Sequence, residues 1–450
     1  MSFIKEYVIA LPNFCISDKV LSPHGKKGQH AICYTDEDII TLAFQACENI
    51  ESDIDAILFS TTSPVFKDRY HSSYLADLLG LKEGILAMDL GITNRAGTDA
   101  IVLADRLLKS GSNENILIVA ANVHYPAIGN EIRSAFGHGA VAMVLSNNDG
   151  IAKITKARTF SSAMSEEFIY KGEKTQYDSR FARTKGFKNN LDLVLKSEKI
   201  NSKSINKIYL NSPYAKIGFG QLKKAGFDLE SQLGTNEVGK ISGHTGSAHG
   251  LMTLINSIEK NKDTSLLLDY HNGTNLIEVE SKGSNQSSFS SKAAEITHYQ
   301  DYLTLRKQGK FTGRGYKSVE MFSSEMISER DKEMLLRLKG NKCESCDTIY
   351  YIKALRCNAC KSNKLSQVQL SKRGTVYSVT SEYYFPNSFT PTNMVVIDLD
   401  GGGRLTVQQT DDMYPSESNL IKIGDKVKLV FRKMMENDKK PNYFWKCIKQ

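Results

Sequence analysis

Over the first 282 positions, short aliphatic and β-branched runs alternate with stretches whose apolar residues recur every three or four positions. Runs 56–60, 115–121 and 140–145 are bounded by polar residues or glycine and are too short for helices, so they read as buried strands. Before them, 38–46 reads as a helix. A second helix is expected over about 95–109, with Ala100, Ala104 and Leu108 on one stripe. A similar set follows: a strand at 207–210, a helix at 218–225, a small-residue helix at 246–259, and strands at 265–270 and 276–280 that pair. Two successive strand–helix sets of similar size predict a duplicated α/β unit, with halves at 1–150 and 151–282, although no sequence repeat accompanies them. The pattern then stops. Residues 281–292 form a polar, Ser-rich linker, and 283–339 carries helical pieces at 298–307 and 329–338. From Gly374 the chain is strand-rich, with turns at Asp400-Gly401-Gly402-Gly403 and Ile423-Gly424-Asp425, the pattern of a small β-barrel over 371–450.

Composition adds limits. With 450 residues, 40% hydrophobic and 24% charged, the chain is neither fibrous nor wholly disordered. The net charge of +8 is uneven: residues 1–282 hold 31 Lys and Arg against 32 Asp and Glu, whereas 283–450 hold 27 against 18. A basic last third suits phosphates or an acidic carrier protein, and equally a lysine-rich solvated surface. The N-terminal residues lack a basic segment leading into an apolar one, and no apolar run exceeds 116–121, far below the roughly 20 residues that span a bilayer. Eight cysteines in so long a chain do not make a disulfide scaffold, so a reduced, cytoplasmic protein that avoids membranes is expected.

Four of the cysteines stand at metal-ligand spacing. Cys343-Glu344-Ser345-Cys346 and Cys357-Asn358-Ala359-Cys360 are two knuckles, each offering two thiolates on a tight turn. Four thiolates close a tetrahedral zinc site, predicting a structural zinc ribbon over 340–370 with no open position for catalysis.

The residues around this cluster, with Arg373-Gly374-Thr375-Val376-Tyr377, Ile423-Gly424-Asp425-Lys426-Val427 and Asn442-Tyr443-Phe444-Trp445-Lys446, resemble the zinc-ribbon and OB-fold proteins that accompany thiolases and hydroxymethylglutaryl-CoA synthases. The first 282 residues are similar to the thiolase, ketoacyl synthase III and hydroxymethylglutaryl-CoA synthase superfamily. Asp89 to Thr98 matches the strand–turn–buried-helix segment that carries the nucleophilic cysteine in those enzymes. Phe136-Gly137-His138-Gly139-Ala140 resembles their Gly-Asp-Gly-Ala strand entry, and Gly243-His244-Thr245-Gly246 their Gly-Asn-Thr or Gly-His-Thr segment. The whole resembles bacterial hydroxymethylglutaryl-CoA synthase-like proteins fused to a C-terminal zinc ribbon and OB-fold. It implies a thiolase-like, duplicated five-layer α/β domain, then a rubredoxin-like ribbon and an OB barrel. It also implies acyl-CoA or acyl-carrier-protein thioesters as substrates, and a homodimer or a pair with a second thiolase-like protein. OB barrels also bind nucleic acid, but these companion domains make that a minor expectation.

On this alignment the three catalytic positions are replaced. The nucleophilic cysteine becomes Asn94, the acid/base glutamate Thr61, and the histidine before a Pro-aromatic pair Asn211. An amide cannot form a thioester, so acyl transfer through residue 94 is excluded; Asn94 suits a helix N-cap instead. Polar groups survive around the expected pocket. His244 stands where relatives bind the thioester oxygen, and His271 with Gly273 fits the late turn that lends a backbone donor. Asn94 and Asn211 join His244 and His271 as candidate catalytic residues, and Thr61 joins Gly273 as a candidate substrate contact. Lys372, Arg373, Arg404 and Lys446 are candidate phosphate contacts. His138 and His124 read as packed or surface histidines, and His249, five residues after His244, is expected to point elsewhere. These features suit aldol, retro-aldol or condensing chemistry through a stabilised enolate, or alternatively a catalytically silent scaffold for an active thiolase-like partner.

Overall fold

The structure is a computed structural model that describes all residues except 1, 26–27, 134–135, 165, 172, 284–287, 289–292, 307–324, 384–388, 390, 415 and 437–440. Most of the Ser-rich linker and Lys307 therefore lie outside the described residues. Two units partition the chain. One comprises Met1–Ile32, Leu42–Asp77 and Leu81–Tyr299; the other comprises Gln300–Gln450 with two short pieces, Cys33–Thr41 and Leu78–Gly80.

In the first unit the aliphatic runs become nine strands: β1 (Ser2–Ala10), β2 (Ala56–Thr61), β3 (Leu86–Gly91), β4 (Asn115–Asn122), β5 (Gly139–Ser146), β6 (Ala152–Ser161), β7 (Lys207–Asn211), β8 (Asp263–Tyr270) and β9 (Gly273–Ser281). They hydrogen-bond in the order β7-β8-β9-β6-β1-β5-β4-β2-β3. The two halves meet where β1 pairs with β6 through Ser2, Phe3 and Ile4 only. Reading outward from that seam shows the duplication. In each half the opening strand has an antiparallel neighbour, that strand a second antiparallel neighbour, and the next strand joins in parallel. The repeat absent from the sequence is thus present in the topology.

Each half contributes one helix to the core, α1 (Ala96–Ser110) and α2 (His249–Lys260). The two pack on one another, and α1 also meets β2, β4 and β6 while α2 meets β7 and β8. Every residue of α2 but Lys260 is buried, which an amphipathic surface helix could not accommodate. Their N-terminal ends approach closely: a Cβ on Gly97 would lie 2.3 Å from the Ser247 carbonyl oxygen. Small residues at these ends allow backbone to meet backbone at the centre of the unit.

The second unit holds a three-stranded ribbon, β10 (Lys339–Cys343), β11 (Ile349–Tyr350) and β12 (Leu365–Gln369). It also holds a closed barrel of β13 (Arg373–Glu382), β14 (Thr392–Leu399), β15 (Arg404–Gln409), β16 (Lys426–Glu436) and β17 (Pro441–Lys449), in the order β13-β14-β15-β17-β16. The Gly401, Gly402, Gly403 and Gly424 turns take positive φ, as expected of them. A buried ion network joins the Cys33–Thr41 piece to the barrel strands, and the sequence reading missed it. The Arg432 guanidinium lies 3.0 Å from Glu37, 3.2 Å from Asp411 and 3.5 Å from Asp36, while Lys446 reaches Asp36 at 2.8 Å. With several acids around each cation, removing one partner leaves an uncompensated buried charge.

Candidate functional site

The first unit gathers polar groups where both buried helices begin. Strand β3 runs into α1 through Ile92, whose β-branched side chain is held at φ +68° and is 91% exposed. Asn94 follows, half-buried in the turn. It is not the helix cap: the N-cap position is Arg95, and no side chain caps the helix. The Arg95 side chain turns back instead and donates to the His271 carbonyl (2.9 Å), Asn275 Oδ1 (2.7 Å) and Thr159 Oγ1 (2.9 Å), with Asp99 at 3.0 Å. That buried cation bolts the His271–Gly273 turn to the start of α1. Gly273 has φ +115°, and a Cβ there would meet the Phe160 carbonyl at 2.3 Å, so the turn requires glycine.

Asn211 ends β7 and donates through Nδ2 to Asp269 Oδ1 at 2.8 Å; the other carboxylate oxygen accepts from the Thr98 hydroxyl at 2.6 Å. Burial pushes the Asp269 carboxyl up to about 6. Asp269, absent from the sequence-based candidates, thereby ties Asn211 to the first turn of α1. Thr61 is buried at the end of β2 and accepts from the Ser63 backbone N–H at 3.1 Å. The Ser247 hydroxyl donates to the Ser60 carbonyl at 3.1 Å, and the Ser60 hydroxyl to the Ala96 carbonyl at 3.0 Å. These links bring Asn94, Asn211, His271, Gly273 and Thr61 to the beginnings of α1 and α2.

His244 sits just before α2. Its Nδ1 accepts the Gly246 backbone N–H at 3.2 Å, which places the ring proton on Nε2. Burial, with the nearby His271 adding to it, holds its pKa down to about 4, so the ring is neutral at neutral pH. The site therefore contains a neutral imidazole N–H donor. The expectation that His249 points elsewhere is overturned: the His244 and His249 rings stack, with centroids 4.3 Å apart. A five-residue spacing separates two side chains only in a regular helix. Instead, Gly243 and Gly246 take positive φ and a 3₁₀ turn, Gly246–Ala248, precedes α2, folding residue 244 over 249. His138 is packed as expected, its Nε2 3.2 Å from the His124 carbonyl.

The remaining candidates lie in the second unit. Arg404 is engaged in a bidentate pair with Asp398 (2.5 and 2.9 Å) and sits 3.6 Å above the Tyr377 ring. Lys372 lies 5.4 Å from the Trp445 ring, and Arg373 is exposed, whereas Lys446 is buried and held by Asp36 at 2.8 Å rather than presented for a phosphate. The four cysteine sulfurs of the ribbon lie within 4.8 Å of one another. Cys343 and Cys360, and Cys346 and Cys357, are each 3.5 Å apart, near the roughly 3.8 Å sulfur separation that 2.3 Å bonds give in tetrahedral zinc. Both knuckles close alike, with the backbone N–H of Asp347 returning to the Cys343 carbonyl and that of Lys361 to Cys357. The donor set fits zinc.

Comparison with known proteins agrees with this fold. A family profile described as the ChsH2 C-terminal OB-fold domain matches residues 367–432. The hydroxymethylglutaryl-CoA synthase of Methanosphaera stadtmanae is 25% identical over 304 residues, 62% of this chain and 86% of that protein. That of Caldivirga maquilingensis is 28% identical over 141 residues, 30% of this chain but only 40% of that relative's length. A DUF35 domain-containing scaffold protein of Methanothermobacter thermautotrophicus is 29% identical over 106 residues, 22% of this chain and 74% of that one. Among solved structures, an HMG-CoA synthase complexed with CoA superposes with TM-score 0.56 at 15% identity, covering 68% of this chain and 90% of that one. The architecture is thus thiolase-like α/β followed by an OB barrel. The chain is related at low identity to the hydroxymethylglutaryl-CoA synthase and thiolase-like condensing enzymes, and carries a ChsH2-type OB-fold and a cysteine cluster able to hold metal.

Proposed function

We propose that the chain acts on acyl thioesters, carried on CoA or a carrier protein, making or breaking a C–C bond by aldol, retro-aldol or condensing chemistry without a covalent acyl-enzyme. The observation that carries this reading is the neutral Nε2–H donor of His244, held by the Gly246 N–H at the junction of the two buried helices. A thioester whose carbonyl oxygen meets that donor gains stabilisation as the α-carbon becomes enolate-like, because the donor's partial charge faces the oxygen where negative charge develops. The Gly273 turn, fixed by Arg95, supplies a backbone N–H for the same oxygen. Asn94 stands at the nucleophile's position and cannot be acylated, so the chemistry proceeds on the bound thioester itself. Cys343, Cys346, Cys357 and Cys360 would hold zinc, which would staple the ribbon and, with all four positions filled by thiolates, leave none open to substrate.

A second reading, a silent scaffold for a thiolase-like partner, draws support from Asn94, Thr61 and Asn211 at the three catalytic positions and from the scaffold protein among the relatives. Incubation with a panel of acyl- and β-hydroxyacyl-CoA thioesters separates the two. Cleaved or condensed products that vanish in His244→Ala support catalysis; thioester retained without turnover supports the scaffold. Pairing of two copies through β3, the last strand of the sheet, is part of the proposal. Its open edge carries Leu86 (39% exposed) and Met88 (38% exposed), apolar groups that a lone edge strand would ordinarily avoid. Met88→Lys is expected to shift a dimer to monomer on gel filtration.

A further inference from the structure

His249 is buried at the first position of α2, and its Nδ1 has no hydrogen-bond partner among the described residues. A buried donor left unmade costs stability, and leucine or phenylalanine would fill the space without that cost. The histidine is nevertheless held with some care. The Gly239 backbone N–H donates to Asn236 Oδ1 at 3.3 Å, which fixes the amide so that its Nδ2 faces inward. That Nδ2 donates to His249 Nε2 at 3.1 Å and to Thr253 Oγ1 at 3.2 Å. An accepting Nε2 means that His249 carries its proton on Nδ1, the opposite tautomer to that of His244. The oriented ring lies parallel to His244, with an interplanar angle of 18°.

We propose that His249, oriented by Asn236, is a positioning residue for His244: the stacked ring fixes the His244 imidazole so that Nδ1 meets the Gly246 N–H and Nε2–H stays presented. The relay runs from Gly239 to Asn236 to His249 and then, by ring contact rather than hydrogen bond, to His244. His271 is the titratable group that acts on His244, adding to the effect of burial, and His244 acts in the same sense on His249. The inference rests on the reading of His244 as the donor to the substrate, but its structural content is measurable without turnover.

The experiment is ¹⁵N NMR of the full chain labelled at histidine, which reports the tautomer of each ring directly. The native protein is expected to show His244 as Nε2–H and His249 as Nδ1–H at neutral pH. In His249→Ala the His244 signal moves to a mixture of tautomers, and any turnover of thioesters falls about ten- to a hundredfold. His249→Phe, which keeps a flat ring, restores most of the Nε2–H signature. Asn236→Ala leaves the core residue in place, so it tests the relay even if His249→Ala fails to fold; in it His249 loses its Nδ1–H preference. An unchanged His244 signature in folded His249→Ala or Asn236→Ala overturns the inference whatever the activity. The expected tautomer shift in a protein that turns over no thioester overturns the proposed function and leaves the positioning role standing.

Discussion

The ribbon's four cysteines and the histidines at the helix junction are both clusters of chemistry-bearing side chains, and the chain builds them by different routes. The cysteines come from two turns fourteen residues apart in sequence, each folding its pair of thiolates locally around a backbone bond from Asp347 or Lys361. His244, His249 and His271 meet only because a nine-stranded sheet and two buried helices put them together. The first cluster is closed, so a metal held there would serve stability. In the second, burial keeps His244 neutral and its Nδ1 accepts a backbone N–H, which leaves the proton on Nε2, an arrangement suited to an oxygen that gains negative charge. Spacing alone identifies the first kind of site; the second needs topology.

The comparison can be broken at either end. The largest effect belongs to the ribbon. Cys343→Ser, or a strong chelator, should remove the metal and with it the ribbon's stability, since zinc binding in small sites is worth about 10 kcal/mol or more. Elemental analysis should find one zinc per native chain and none in the variant, while the thiolase-like unit keeps its own melting transition. At the other cluster, His244→Ala should lower thioester turnover about a hundredfold to a thousandfold, the loss seen when one oxyanion donor is removed, with the melting temperature nearly unchanged. A smaller effect follows from the crowding beside it. Gly246 has φ +53°, and a Cβ there would lie 2.3 Å from the Asn122 side chain. Gly246→Ala should therefore destabilise the fold by about 1–3 kcal/mol by thermal melting and disturb the His244 contact.

The smallest effect is in pH dependence, where two buried groups oppose each other. Folding lowers the His244 pKa from 6.5 to about 4, so the unfolded chain takes up a proton that the folded chain refuses. Its contribution to stability falls as pH drops from about 6.5 towards 4. Folding raises Asp269 from 3.8 to about 6, so there the folded chain holds the proton and stability falls as pH rises from about 4 through 6. Urea midpoints across this range should show Asp269→Asn losing the second dependence and keeping the first.

Much of this was legible in the sequence, for identifiable reasons. Strands 115–121 and 140–145 appear where continuous aliphatic runs demand burial on both faces, and α1 starts within a residue of the expected position. The cysteine knuckles were legible because ligand spacing is a local property. Arg95 and Asp269 were missed because their roles depend on partners far along the chain, Asn275 and His271 for one, Thr98 and Asn211 for the other. The Arg432 network was hidden for the same reason, its acids lying about four hundred residues away in sequence at Asp36 and Glu37. Asn94 failed as a cap because the turn after Ile92 carries the chain one residue further before the helix begins. His249 was misjudged because positive-φ glycines break the helical periodicity on which the argument relied.

The central claim is chemistry on the thioester without an acyl-enzyme, and the intact mass of the protein during turnover tests it most directly. Mass spectra taken while β-hydroxyacyl- or acyl-CoA is being consumed should show only the unmodified 50.2 kDa chain alongside accumulating product. A stable increment equal to the acyl group, appearing on the chain at the rate of turnover, would contradict the account and place a nucleophile elsewhere than at Asn94.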